Sequence, residues 1–96
     1  MWARVSTLAG SPEGLQQAMT TISEQTVPPI KEMAGVQGAL FLADRSSGKM
    51  SAVTLWESEE AMRASEEAAN SVRDQAAASA SGSIVSVERF EVFDRF

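Results

Sequence analysis

A tryptophan, Trp56, closes the apolar run TLW at residues 54 to 56, and one arginine, Arg4, lies inside the apolar run WARVSTL of residues 2 to 8. These two side chains are where chemistry could start. On a strand, Trp56 shares a face with Thr54, Ala52 and Met50, so the four line one wall. The indole either walls a ligand pocket together with Met50, Met62 and Met33, or fills the space left by small residues with its N–H satisfied at the sheet end. Arg4, in mid-strand, needs a partner, because a buried unpaired charge is strongly unfavourable. That partner is Glu57, Glu88 or Glu91 across the sheet, or an anionic substrate oxygen with Thr54 as a second donor. Arg4 and Thr54 are the catalytic candidates; no set of catalytic residues can be assigned.

The missing residue types narrow the chemistry further. The chain has no His, Cys or Tyr, which removes the usual zinc, copper and haem ligands and the usual nucleophile and base pairs. No metal and no cofactor are expected. A proton acceptor would have to be a carboxylate such as Glu57 or Glu88, raised by burial. Eight Lys and Arg against thirteen Asp and Glu give a net charge of −5, with no basic stripe for nucleic acid. No apolar run is long enough to span a bilayer and no leader pattern opens the chain, so the expectation is a soluble, cytoplasmic protein.

The elements that must position these residues follow from periodicity. The 96 residues suit one domain, 1–96. Residues 2 to 8 read as a first strand, and Ser11-Pro12-Glu13 as the start of a helix, with Ser11 as N-cap and Pro12 at its first position. Leu15, Ala18, Met19 and Ile22 form its buried face. Pro28 and Pro29 interrupt it, and a kinked or restarted turn carrying Ile30 and Met33 is expected to end at Gly35. VQGALFLAD and KMSAVTLW, joined by RSSG, read as a hairpin with both faces covered. The turn DRSSGK lacks the strand-to-helix setting of a phosphate loop.

Ser58 caps a second helix, with Glu59 and Glu60 favoured by the free amides of its first turn. Its buried stripe is small: Ala61, Ser65, Ala68, Val72 and Ala76. The acids of this helix, with Arg63 placed to pair with Glu59, read as a solvated face. SIVSVERFEVFDRF is a last strand long enough to project beyond the sheet. The order is strand, helix, strand, strand, helix, strand, an α+β ferredoxin-like βαββαβ fold with an antiparallel sheet and two helices on one face.

The opening GVQGA of the second strand, the hairpin, and TLWESEEAM leading into the second helix resemble the antibiotic biosynthesis monooxygenase superfamily. The resemblance implies a dimeric α/β barrel: a homodimer through the sheet face and the C-terminal strand, with Phe90, Val92, Phe93 and Phe96 clasping the other subunit. It also implies a cleft between sheet and helices for a small apolar or aromatic ligand. Members include cofactor-independent oxygenases and haem degraders, and Trp56 matches the tryptophan of the haem pocket. Ten residues later, where the haem degraders place a histidine ligand, this chain has Glu66, and its first strand offers Arg4 and Ser6 where they place an asparagine. Haem breakdown is therefore not expected. Two readings stay open: a small-molecule-binding barrel that acts as a cofactor-independent monooxygenase, and a non-catalytic dimeric binding or accessory protein with a vestigial cleft.

Overall fold

The alternating run near the start of the chain forms β1 (Trp2–Ala9), as a computed structural model of residues 1–96 shows. After it, Ser11-Pro12-Glu13 make a turn, with the Ser11 hydroxyl accepting from the Gly14 N–H at 3.3 Å, and helix α1 (Leu15–Thr21) begins later than its N-cap signature suggests. The helix then widens into a π-helical segment, Ile22–Thr26, and tightens again as α2 (Val27–Lys31), which carries the proline pair in its first turn. Proline at N2 and N3, where Pro28 and Pro29 stand, loses no hydrogen bond within α2, because the first-turn amides have no partner inside their own helix. The expected kink is met by a change of helix type.

Strands β2 (Val36–Ala43) and β3 (Lys49–Trp56) form the hairpin. Its turn is held by Asp44, whose carboxylate accepts from the Ser46 N–H at 2.9 Å and the Ser47 hydroxyl at 3.1 Å. Gly48 lies there at φ +80°, pressed against the backbone of Ser11 and Pro12, where no side chain fits. The second helix is two: α3 (Glu59–Ala64), capped by Ser58, and α4 (Glu66–Ser79), with Ser65 at the break. Ala68 is exposed, so the stripe facing the sheet runs instead through Ser65, Ala69, Val72 and Ala76.

Strand β4 (Ser83–Glu91) completes a four-stranded antiparallel sheet of order β2-β3-β1-β4. It ends earlier than its sequence suggests. The Val92 N–H donates to the Met1 carbonyl at 2.9 Å, and the chain then leaves the sheet with Phe93 and Phe96 fully exposed. Register puts Arg4, Ser6 and Leu8 of β1 opposite Thr54, Ala52 and Met50 of β3. Leu8 and Met50 join Leu15, Ala18, Ile22, Ala76, Ala77 and Ala80 in the main core, which fixes this as the helix-covered face. The outer face carries Val5, Val53, Leu55, Leu40, Leu42 and Phe90 and has nothing over it.

Candidate functional site

Between the sheet and the helices lies a cavity of about 310 Å³, at the lower end of the usual range for small-molecule pockets. Its floor comes from β1, β2 and β3 and its walls from α1, the π-helical segment, α2 and α4. Arg4, Thr54, Trp56, Met50 and Met33 all border it, so the candidates on separate elements are brought together. Met19 borders it too. Met62 does not: its side chain is completely buried under α3 and serves as core. The i, i+3 stripe of α3 turns Met62 inward at a point where the cavity has already closed.

Trp56 borders the cavity from within the packed layer. It has no exposed surface, its Nε1–H donates to the Thr54 hydroxyl at 3.0 Å, and the Arg4 guanidinium lies 5.2 Å from its ring centroid. That distance is within reach of a cation–π contact. Thr54 in turn points its own hydroxyl proton toward the Arg4 carbonyl at a long 3.5 Å. The threonine is thus tied to the indole and to β1, and its hydroxyl orients the wall.

Arg4 finds its counterion on the helix layer. The two protons of Nη2 are shared among three acceptors, the Met62 carbonyl at 2.7 Å, the Ser65 hydroxyl at 3.0 Å and Glu66 Oε1 at 3.1 Å. The expected partners Glu57, Glu88 and Glu91 take no part. Register explains the difference: Arg4 faces the helices, Glu88 lies on the outer face opposite Val5, and Glu57 and Glu91 are exposed at the end of the sheet. The break at Ser65 builds this receptor, because it sets a carbonyl, a hydroxyl and a carboxylate side by side. One donor, Arg4 Nε, is buried without a partner.

Glu66 is shared. Arg89 of β4 grips it with Nε and Nη2, each at 2.7 Å from a different carboxylate oxygen. The hydrogen bonds from Arg89, with the charge and hydrogen bond of Arg4, outweigh partial desolvation and hold the Glu66 carboxyl down at about 2 from an ordinary 4.5. Burial pulls Arg4 below the ordinary arginine value, and Glu66 opposes the shift.

A residue that sequence reasoning passed over also lines the cavity. Arg73 of α4 donates Nε to the Ser6 hydroxyl at 3.2 Å and Nη1 to Asn70 Oδ1. Its signal was positional: it stands four residues after Ala69 and three before Ala76, at the edge of the stripe that faces the sheet. No His, Cys, Tyr, Asp or Glu borders the cavity, so neither Glu57 nor Glu88 can serve as its base. The fit to a haem is equally poor, because Glu66, in the ligand's sequence position, has both oxygens engaged by arginines. No group of three or more metal-ligating side chains occurs.

An antiparallel sheet of this order, backed by helices on one face, is a ferredoxin-like fold, and solved structures match it over nearly the whole chain, one of them an antibiotic biosynthesis monooxygenase-like protein of Deinococcus radiodurans (TM-score 0.75, 16% identity, 100% of this chain and 96% of that one). Among them is a monooxygenase of Streptomyces coelicolor, from the gene ActVA-Orf6, solved with nanaomycin D (TM-score 0.70, 18% identity, 99% of this chain and 88% of that one). The haem degrader MhuD of Mycobacterium tuberculosis, with two haems in its active site, matches at TM-score 0.73 and 17% identity over 100% and 99% of the two chains. A dimeric ferredoxin-like protein from an uncultured marine organism matches at 0.73 and 13% over 100% and 98%.

In sequence, the chain is 34% identical over 92 residues to uncharacterized protein Rv2558 of Mycobacterium tuberculosis, and 32% identical over the same length to Rv2557 of that organism. Those matches take in 96% of this chain but only 39% and 41% of the two relatives, so it spans about two fifths of their length. No family model matches the chain.

Proposed function

We propose that this protein binds a small, largely apolar molecule in the cavity between sheet and helices, and does so as a homodimer joined through the outer sheet face. One observation carries the reading: a cavity of about 310 Å³ lined mostly by apolar side chains and backed by a buried, hydrogen-bonded tryptophan. The uncovered row of Leu40, Leu42 and Phe90, each about half exposed, supports the dimer, as does the marine protein of the same fold that is dimeric. The neutral aromatic 2-naphthylmethanol is a suitable probe. Calorimetry should find saturable binding at one site per subunit; the absence of heat and of any rise in melting temperature across a panel of flat aromatics would overturn the reading.

Cofactor-independent oxygenation is the second reading, favoured by the structural likeness to a monooxygenase solved with nanaomycin D and to a cofactor-independent oxygenase of Streptomyces nogalater. With no carboxylate at the cavity, such an enzyme would have to take its substrate already ionised, so that the bound anion itself reduces oxygen. Cations on the wall suit that requirement. Oxygen uptake with an acidic dihydroxynaphthalene, abolished in Arg73→Gln, would establish it; uptake equal to that in buffer would leave binding as the function.

A further inference from the structure

The cavity is lopsided in charge. In a chain of net charge −5, three arginines border it, Arg4, Arg45 and Arg73, and no acid does. The three are not equivalent. Arg4 is committed to Glu66 and to the α3–α4 break. Arg45 lies on the exposed hairpin turn and donates to the Gln16 side-chain oxygen at 3.1 Å. Arg73 is half-buried, yet its acceptors, Ser6 and Asn70, are both neutral, and none of the ion pairs includes it.

A guanidinium withdrawn from water without a counterion is unfavourable, and neighbouring cations make it more so. Burial, then the charges of Arg4 and Arg89, lower the Arg73 pKa; Glu66 and Asp74 offset this only in part. Of the guanidiniums of Arg4, Arg73 and Arg89, which feel one another's charge, Arg4 and Arg89 take the Glu66 carboxylate and Arg73 has no share of it. An anion delivered with a hydrophobic body would correct the imbalance and fill the apolar volume in one step. Arginine suits a carboxylate because its planar fork can donate two parallel hydrogen bonds.

We propose that the cavity is specific for an amphipathic carboxylate, whose head group is held by Arg73 beside Ser6 and whose apolar body lies against Met19, Ile22 and Met50. The proposal rests on the binding reading above and adds the ligand's charge to it.

The test compares 2-naphthoate with its neutral counterpart 2-naphthylmethanol by calorimetry on the whole protein. The acid should bind about tenfold or more tightly than the alcohol, and its advantage should shrink as ionic strength rises. Arg73→Gln should bring the acid down toward the affinity of the alcohol and weaken the alcohol far less, while Arg73→Lys keeps part of the preference. Equal affinities in the wild type, or a loss in Arg73→Gln that is the same for both compounds, overturns the proposal and leaves the binding reading standing. Binding of neither compound overturns both. Should Arg73→Gln fail to fold, as judged by circular dichroism, the salt dependence of the wild-type preference and the Arg73→Lys variant decide the matter by the same outcomes.

Discussion

Glu66 carries two guanidinium groups on one carboxylate, and this sharing makes stability depend on acid. Its folded value of about 2 lies below its ordinary 4.5, so the stabilisation is complete above the ordinary value and is lost as pH falls through the folded one. Denaturant unfolding should therefore show the wild type losing its advantage over Glu66→Gln between about pH 4.5 and pH 2, and the variant should be less stable at pH 7. An advantage that stays constant over this window would contradict the shared pair. Trp56 is fully enclosed, and Trp56→Ala should cost roughly 3–5 kcal/mol in urea titrations; a loss of 1 kcal/mol or less would mean that ligand space already exists beside the indole. Strand parity made Trp56 and Thr54 legible as one face of β3, and a charge in mid-strand singled out Arg4, but that Arg4 shares their face came only with the pairing register. Arg73 escaped because a helix of mixed small and charged residues has no sharp boundary between its buried and solvated faces, and position 73 lies on that boundary.

The helix layer departs from its simplest form at two places, one that holds Arg4 and one that borders the cavity. Ser65 ends α3 and opens α4, and its hydroxyl donates to the Met62 carbonyl at 2.7 Å while accepting from Arg4. The π-helical segment brings Ile22, Ser23 and Thr26 to the cavity wall, in keeping with the frequent occurrence of such segments at functional sites. Periodicity showed that helices exist here but not where they break, since one turn of i→i+5 bonding shifts the apolar pattern by less than a residue's width. The strands were more legible, because period two tolerates no drift. At the junction of α2 and β2, Gly35 lies at φ +82°, and a Cβ there would come within 2.5 Å of the Ala61 side chain. Gly35→Ala should destabilise the protein by about 1–3 kcal/mol, seen as a lower urea midpoint at unchanged slope, by forcing α3 away from that junction.

The whole molecule is a sheet with one dressed face and one bare face. Val5, Val53, Leu55, Leu40, Leu42 and Phe90 form the bare one, and the apolar strands were readable as two-sided before any partner was in view. Light scattering should give twice the subunit mass at micromolar concentration, and Leu40→Glu should shift the species toward monomer with little change in the monomer's circular dichroism. A monomeric wild type would contradict the dimer. The sheet also acts as a partition. If two subunits meet through their bare faces, each cavity stays on the far side of its own sheet, and a ligand entering one must be felt through two layers of strands before it reaches the other. The pair should then load like independent berths, with a Hill coefficient of one, and the dimer's benefit would be to the frame alone.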